Sequence, residues 1–170
     1  MSTLTLSRSS PTNTTLTDSY GTVFYEVSTP LSLCDEITTI KRNGQVLAII
    51  KWRVFEGSQL TMGGMTAPLS DVFPKSGILS NSRVFTTASG ERLKWKCDSK
   101  RECVSADSGL PLATFKSRLF GSIGGKKSTL EISPNATHLL DILVVTWVII
   151  EKKREDRKVI EAVIDGGSSA

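Results

Sequence analysis

The residues best able to do chemistry in this chain are cationic. Lys94 and Lys96 alternate with Leu93, Trp95 and Cys97, which places both lysines on the wet face of a strand. Lys116 and Arg118 fall on the wet face of a second strand, while Phe115 turns inward. Lys126 and Lys127 close the glycine-rich stretch Phe120-Gly-Ser-Ile-Gly-Gly-Lys-Lys-Ser128. If neighbouring strands carry these six residues, they form a basic wall and loop that would attract an acidic phospholipid headgroup. The bland alternative is an ordinary solvated sheet surface. The glycine-rich stretch is not a phosphate loop, since that motif needs Gly at 120 and Ser or Thr at 127. Aromatic platforms for single-stranded nucleic acid are missing from these faces, which makes nucleic acid an unfavoured ligand.

Catalytic patterns are weaker. His138 and Asp141, at i and i+3, share a helix face, with Ser133 nearby. Three residues packed into one helix start do not give nucleophile–base–orienter geometry. Helix capping explains them better: Ser133 or Asn135 caps, and Asp141 favours the positive pole. Asp35-Glu36 and Glu26 read as isolated carboxylates. Met62-Gly-Gly-Met65 reads as a flexible connection with exposed thioethers. The expectation is a non-enzymatic chain with no cofactor and no metal. One His and three cysteines (Cys34, Cys97, Cys103) offer too few ligands, although Cys97 and Cys103 could meet across a hairpin. The cysteines read as reduced thiols, and no secretory signal opens the sequence, so a cytoplasmic protein is expected, peripheral on a membrane at most.

The elements that must position the cations are mostly strands. The chain has 170 residues, formal net charge +4, 39% hydrophobic and 22% charged residues. That composition supports one globular domain and excludes disordered and collagen-like chains. Ordered structure is expected over about residues 15–160, with loose tails at roughly 1–18 and 163–170. Strands are expected at 22–28, 37–41, 46–52, 84–87, 92–97, 104–106, 112–119 and 129–132. Asn43-Gly44, Ser89-Gly90 and Asp107–Pro111 read as hairpin turns between them.

The strand pattern breaks once. Leu139–Ile150 is a 12-residue apolar run following Ser133-Pro134 and preceding the charged Glu151–Lys158. As a helix it spans about 18 Å, against the roughly 30 Å of a bilayer core. It contains Asp141 and Thr146, and no transmembrane span is expected. A helix apolar on every side must be buried all round. The fold class expected is mainly β: an antiparallel barrel of roughly 9–12 strands, closed or nearly so, around one buried hydrophobic C-terminal helix. Lys152 and Asp156, at i and i+4, mark the solvated end of that helix.

Four stretches together resemble a known family: Tyr20 to Tyr25, Ile49 to Trp52, Gly90 to Lys96, and Leu139 to Lys152. The chain is similar to uncharacterised proteins of mushroom-forming fungi that carry a domain of unknown function. That family is related to the tubby C-terminal-like fold, shared with phospholipid scramblases and plant LURP-one-related proteins. The resemblance covers roughly residues 15–156 and implies a barrel around a central hydrophobic helix. It implies no activity. Tubby proteins bind phosphoinositides through particular basic residues, and none of those positions can be matched in this sequence. The functional expectation is a binding module for acidic phospholipid headgroups. The alternative is a protein-interaction or scaffold module with no lipid role.

Overall fold

The computed structural model describes residues 1–32, 35–53, 57–78, 80–97, 101–118 and 127–167. Twelve antiparallel strands form one sheet: β1 (Ser2–Leu6), β2 (Thr14–Thr17), β3 (Val23–Ser28), β4 (Glu36–Arg42), β5 (Gln45–Trp52), β6 (Gln59–Met62), β7 (Met65–Pro68), β8 (Arg83–Thr86), β9 (Arg92–Lys96), β10 (Glu102–Ser105), β11 (Pro111–Lys116) and β12 (Thr129–Ile132). A short helix, α1 (Leu69–Val72), follows β7. A 3-10 turn, Pro134–Leu139, leads into the long helix α2 (Leu140–Gly167).

The topology is two meanders sewn together. β1 to β7 pair in succession, β8 to β12 pair in succession, and β1 joins β12. The sheet therefore curls with β7 and β8 as its two edges, and these do not pair. The barrel expected from the sequence is open at this seam. The connection between the edges covers it in part. Leu69 and Phe73 turn into the core, and the Val84 amide donates to the Pro74 carbonyl at 3.0 Å. Short edges of this kind, one ending at Pro68, resist pairing with another chain.

The reason for the curl is α2. Leu143 to Ile150 are buried at every position, so the helix needs neighbours on all sides. The inward residues of the strands supply them, among them Leu4, Leu16, Tyr25, Ile40, Ile50, Leu93, Trp95, Leu130 and Ile132. Each buried Leu, Val or Ile contributes about 1.5–3 kcal/mol relative to exposure. The one polar residue in the run is fully used. The Thr146 hydroxyl donates to the Ile142 carbonyl at 2.7 Å and accepts the Trp95 indole N–H at 2.8 Å. Trp147 packs its ring on Phe115, with centroids 5.2 Å apart. Its indole N–H finds no acceptor among the described residues.

Several sequence expectations are corrected. The N-terminal stretch is not loose. β1 lies mid-sheet because Leu4 and Leu6 alternate with Thr3 and Thr5, a strand period hidden by Ser/Thr-rich composition. The C-terminal tail is helical to Gly167. Met62–Met65 is a tight hairpin between β6 and β7, with Gly63 and Gly64 at φ 60° and 78°, and Met62 packs on the core. Neither Ser133 nor Asn135 makes a side-chain cap at the start of the 3-10 turn, where Ser133 stands at the cap position. The Asn43-Gly44 hairpin is as expected, with both residues at positive φ. Cys97 and Cys103 are not joined to each other, and burial pushes the Cys103 thiol up. Cys34 lies outside the described residues.

By length and composition the helical stretch Pro134–Gly166 could cross a membrane, but most of its apolar window is buried inside the sheet. Thr146→Val keeps the shape of the side chain and strands the Trp95 indole N–H. The expected cost is about 1–3 kcal/mol, read from urea unfolding with an unchanged slope. A variant as stable as the parent would show that this bond does not hold the helix in place.

Candidate functional site

The strand period delivers the expected faces. In β9, Leu93 and Trp95 are buried, while Arg92, Lys94 and Lys96 face out. In β11, Phe115 is buried and Lys116 is exposed, with Arg118 exposed just beyond the strand. Lys127 is exposed next to buried Ser128. Lys126, with the rest of the glycine-rich stretch from 119 to 126, lies outside the described residues.

The structure does not pool these cations into one wall. Lys96 pairs with Glu102 at 2.8 Å, its registered neighbour on β10. Lys116 pairs with Glu131 of β12 at 2.7 Å. The two glutamates stand on the outer face between or beside the lysines and cancel much of their field. The Arg118 amide donates to the Ser128 hydroxyl, which fixes the start of the loop rather than its charge.

Lys94 has different surroundings. It lies opposite Val84 on β8 and Val104 on β10, so no carboxylate faces it in register. It lines an open groove of about 650 Å³ along the β8 edge, together with Lys75, Arg92, Asp71, Ser76 and Thr86. Among the described residues, Lys75 and Lys94 carry no ion pair. Arg92 leans to Asp107 at 3.2 Å across an exposed surface, a contact worth little in water. Asp71 is bound by the neighbouring Ser70 hydroxyl. The groove thus presents three cations, one carboxylate and two hydroxyl side chains to one space of ligand size. Lys75 and Arg92 were not singled out in the sequence. Lys75 sits in a connection whose path along β8 is set only by tertiary pairing.

His138 and Asp141 are engaged in contacts between elements of the fold. His138 Nε2 meets Glu91 Oε1 at 2.9 Å on the surface, and the imidazole holds the Glu91 carboxyl below its usual range. Asp141 accepts the Tyr25 phenol at 2.5 Å and the Arg42 guanidinium at 2.8 Å. This triad locks the start of α2 to β3 and β4. At the other end, Arg101 meets buried Glu151 at 3.3 Å, and Lys152 meets Glu36 at 3.2 Å and lies over the Trp52 ring. Glu151 is pushed up by burial, which Arg101 opposes. The expected Lys152–Asp156 pair is present at 2.7 Å. No group of three or more His, Cys, Asp or Glu residues able to hold a metal occurs among the described residues.

Comparison with known proteins gives a family match over residues 9–156, from the turn before β2 into the exposed part of α2. The model matched is that of a family of unknown function, DUF6593. This chain belongs to the DUF6593 family. The match takes in Lys75, Arg92, Lys94 and the Tyr25–Asp141–Arg42 triad. No curated protein matches the chain. An X-ray structure of a protein from Arabidopsis thaliana is similar at 13% identity, covering 90% of this chain and 91% of that one, with a TM-score of 0.48. A likeness at that level carries no function across.

The Tyr25 phenol is held far above the usual phenol range, by burial first and then by the Asp141 carboxylate it bonds. A raised folded value stabilises the fold below the unfolded value and loses that contribution as pH climbs past it. In this DUF6593 protein, urea midpoints should therefore fall as pH rises above about 10, the ordinary tyrosine value. Tyr25→Phe should remove that part of the decline. Parallel pH curves for the two proteins would refute the assignment.

Proposed function

We propose that this DUF6593 protein is a non-enzymatic binding module that takes the phosphate-bearing headgroup of an acidic phospholipid. The proposed site is the groove along β8 rather than the wider wall of β9 and β11. One observation carries the reading: Lys75 and Lys94 line a single ligand-sized groove without ion-pair partners among the described residues, whereas Lys96 and Lys116 are neutralised. Arg92 supplies a planar fork suited to phosphate oxygens. On this reading the protein is cytoplasmic and meets a membrane peripherally. We also propose that DUF6593 shares the tubby C-terminal-like fold. A sheet curled about one apolar helix, together with the Lys-Trp-Lys strand, supports that relationship.

A second reading, a protein-interaction module with no lipid role, is favoured by one feature. The last turns of α2 expose Val159, Ile160, Val163 and Ile164 on one side. Vesicle flotation separates the two readings. At low salt the protein should float with phosphatidylcholine–phosphatidylserine vesicles and not with phosphatidylcholine alone, and high salt should release it. A lysine near an anionic surface contributes about 1 kcal/mol. Lys75→Gln and Lys94→Gln should each lower the partition coefficient about fivefold, and Lys96→Gln should leave it nearly unchanged. No binding at low salt would sink the lipid reading and leave the interaction module.

A further inference from the structure

The inner side of the open seam carries a separate group of cations. Arg83 is registered opposite buried Trp95, which puts its side chain on the inward face at the β8 edge. Lys75 is bridged directly opposite Arg83. On α2, Lys153 and Arg157 are one turn apart and share a face. That face looks at the seam, because Lys153 lies within electrostatic reach of Arg83 and Lys75, and Arg83 within reach of Arg157.

Among the described residues none of these four side chains makes an ion pair. Asp156 is the carboxylate that acts on Lys153, and it is already bonded to Lys152 at 2.7 Å. Arg83 uses Nη1 on the Phe73 carbonyl at 2.7 Å, which fixes the guanidinium without neutralising it. Lys75, Lys153 and Arg157 carry no ion pair among the described residues. Burial, with Arg83 and Lys75 beside it and Asp156 opposing, holds Lys153 below the ordinary lysine range, and burial does the same to Arg83, with Cys97 opposing and Arg157 adding to it. Like charges gathered where water is scarce repel one another, and a bound anion removes that cost. Lys75 is exposed, so a ligand can enter from solvent.

We propose that Lys75, Arg83, Lys153 and Arg157 form a site for a phosphate group of at least two negative charges, a phosphomonoester or a pyrophosphate, which ties the β8 edge to α2. Two guanidinium forks and two ammonium groups match the oxygens of such a group better than those of a monovalent carboxylate. The site stands apart from the outer groove except for Lys75, so Lys75 is left out of the test.

Thermal unfolding is followed with pyrophosphate and with sodium chloride at matched ionic strength. At a hundredfold excess over Kd, pyrophosphate should raise Tm by roughly 5–10 °C beyond the chloride control. Lys153→Gln and Arg157→Gln should each lose that shift, while Lys94→Gln, in the outer groove, keeps it. Without ligand, Lys153→Gln should melt at or above the parent temperature, since one repelling charge is gone, and this also shows that the variant folds. An absent shift in the parent protein, or an equal shift in Lys153→Gln and Arg157→Gln, overturns the site. Loss of the shift in Lys94→Gln alone assigns the phosphate to the outer groove and also overturns it. Flotation with phosphatidylcholine–phosphatidic acid vesicles then distinguishes the source. Binding that is competed by pyrophosphate and lost in Lys153→Gln identifies a lipid phosphomonoester. Pyrophosphate binding without flotation identifies a soluble phosphate.

Discussion

Everything in this fold answers to one constraint: eight consecutive residues of α2, Leu143–Ile150, must be kept from water on every side. A two-layer packing covers only one face of a helix. A sheet that bends round the helix covers all of them, and twelve short antiparallel strands provide the circumference. Thr146 shows how tight the requirement is. Its hydroxyl satisfies a helix carbonyl and a buried tryptophan at once, so the single polar residue in the run leaves no unmet group of its own.

Charge is used to pin the helix at its ends, where it emerges from the apolar interior. Asp141 gathers Tyr25 and Arg42 at the start, and Glu151 and Lys152 gather Arg101 and Glu36 at the exit. These pairs are partly desolvated and hold register more than they add stability. Consuming so many carboxylates in this way has a consequence elsewhere. With Glu102 and Glu131 also committed to Lys96 and Lys116, Lys75, Lys94, Lys153 and Arg157 beside the seam are among the cations that have no ion pair within the described residues. The proposed anion sites are therefore where the sheet fails to close, which is also where backbone edges and side chains are accessible.

The seam itself follows from chain order. The meander β1–β7 and the meander β8–β12 meet through β1 and β12, which leaves β7 and β8, consecutive in the chain, at opposite edges. The connection between them then has two tasks, filling the gap with Leu69 and Phe73 and carrying Lys75 along β8.

Local patterning determined much of this in the amino-acid sequence alone. Alternation in β9 and β11 set which side of each strand Lys94, Lys96 and Lys116 occupy, and Asn43-Gly44 set a hairpin, because these depend only on neighbours along the chain. An unbroken apolar run required an enclosing sheet. β1 is hidden in the sequence because its alternation runs over only five residues and its outward residues are serine and threonine, common in tails. Tertiary structure alone decided which cations are free. Glu131 is 15 residues from Lys116 and Asp141 is 99 from Arg42, so no spacing rule pairs them. The meeting of Lys153 and Arg157 with Lys75 and Arg83 likewise exists only because the helix exits beside the seam. Charge neutralisation acts through space over a few ångströms, and the sequence is ordered along the chain, so the sequence carries the cations but not their surplus.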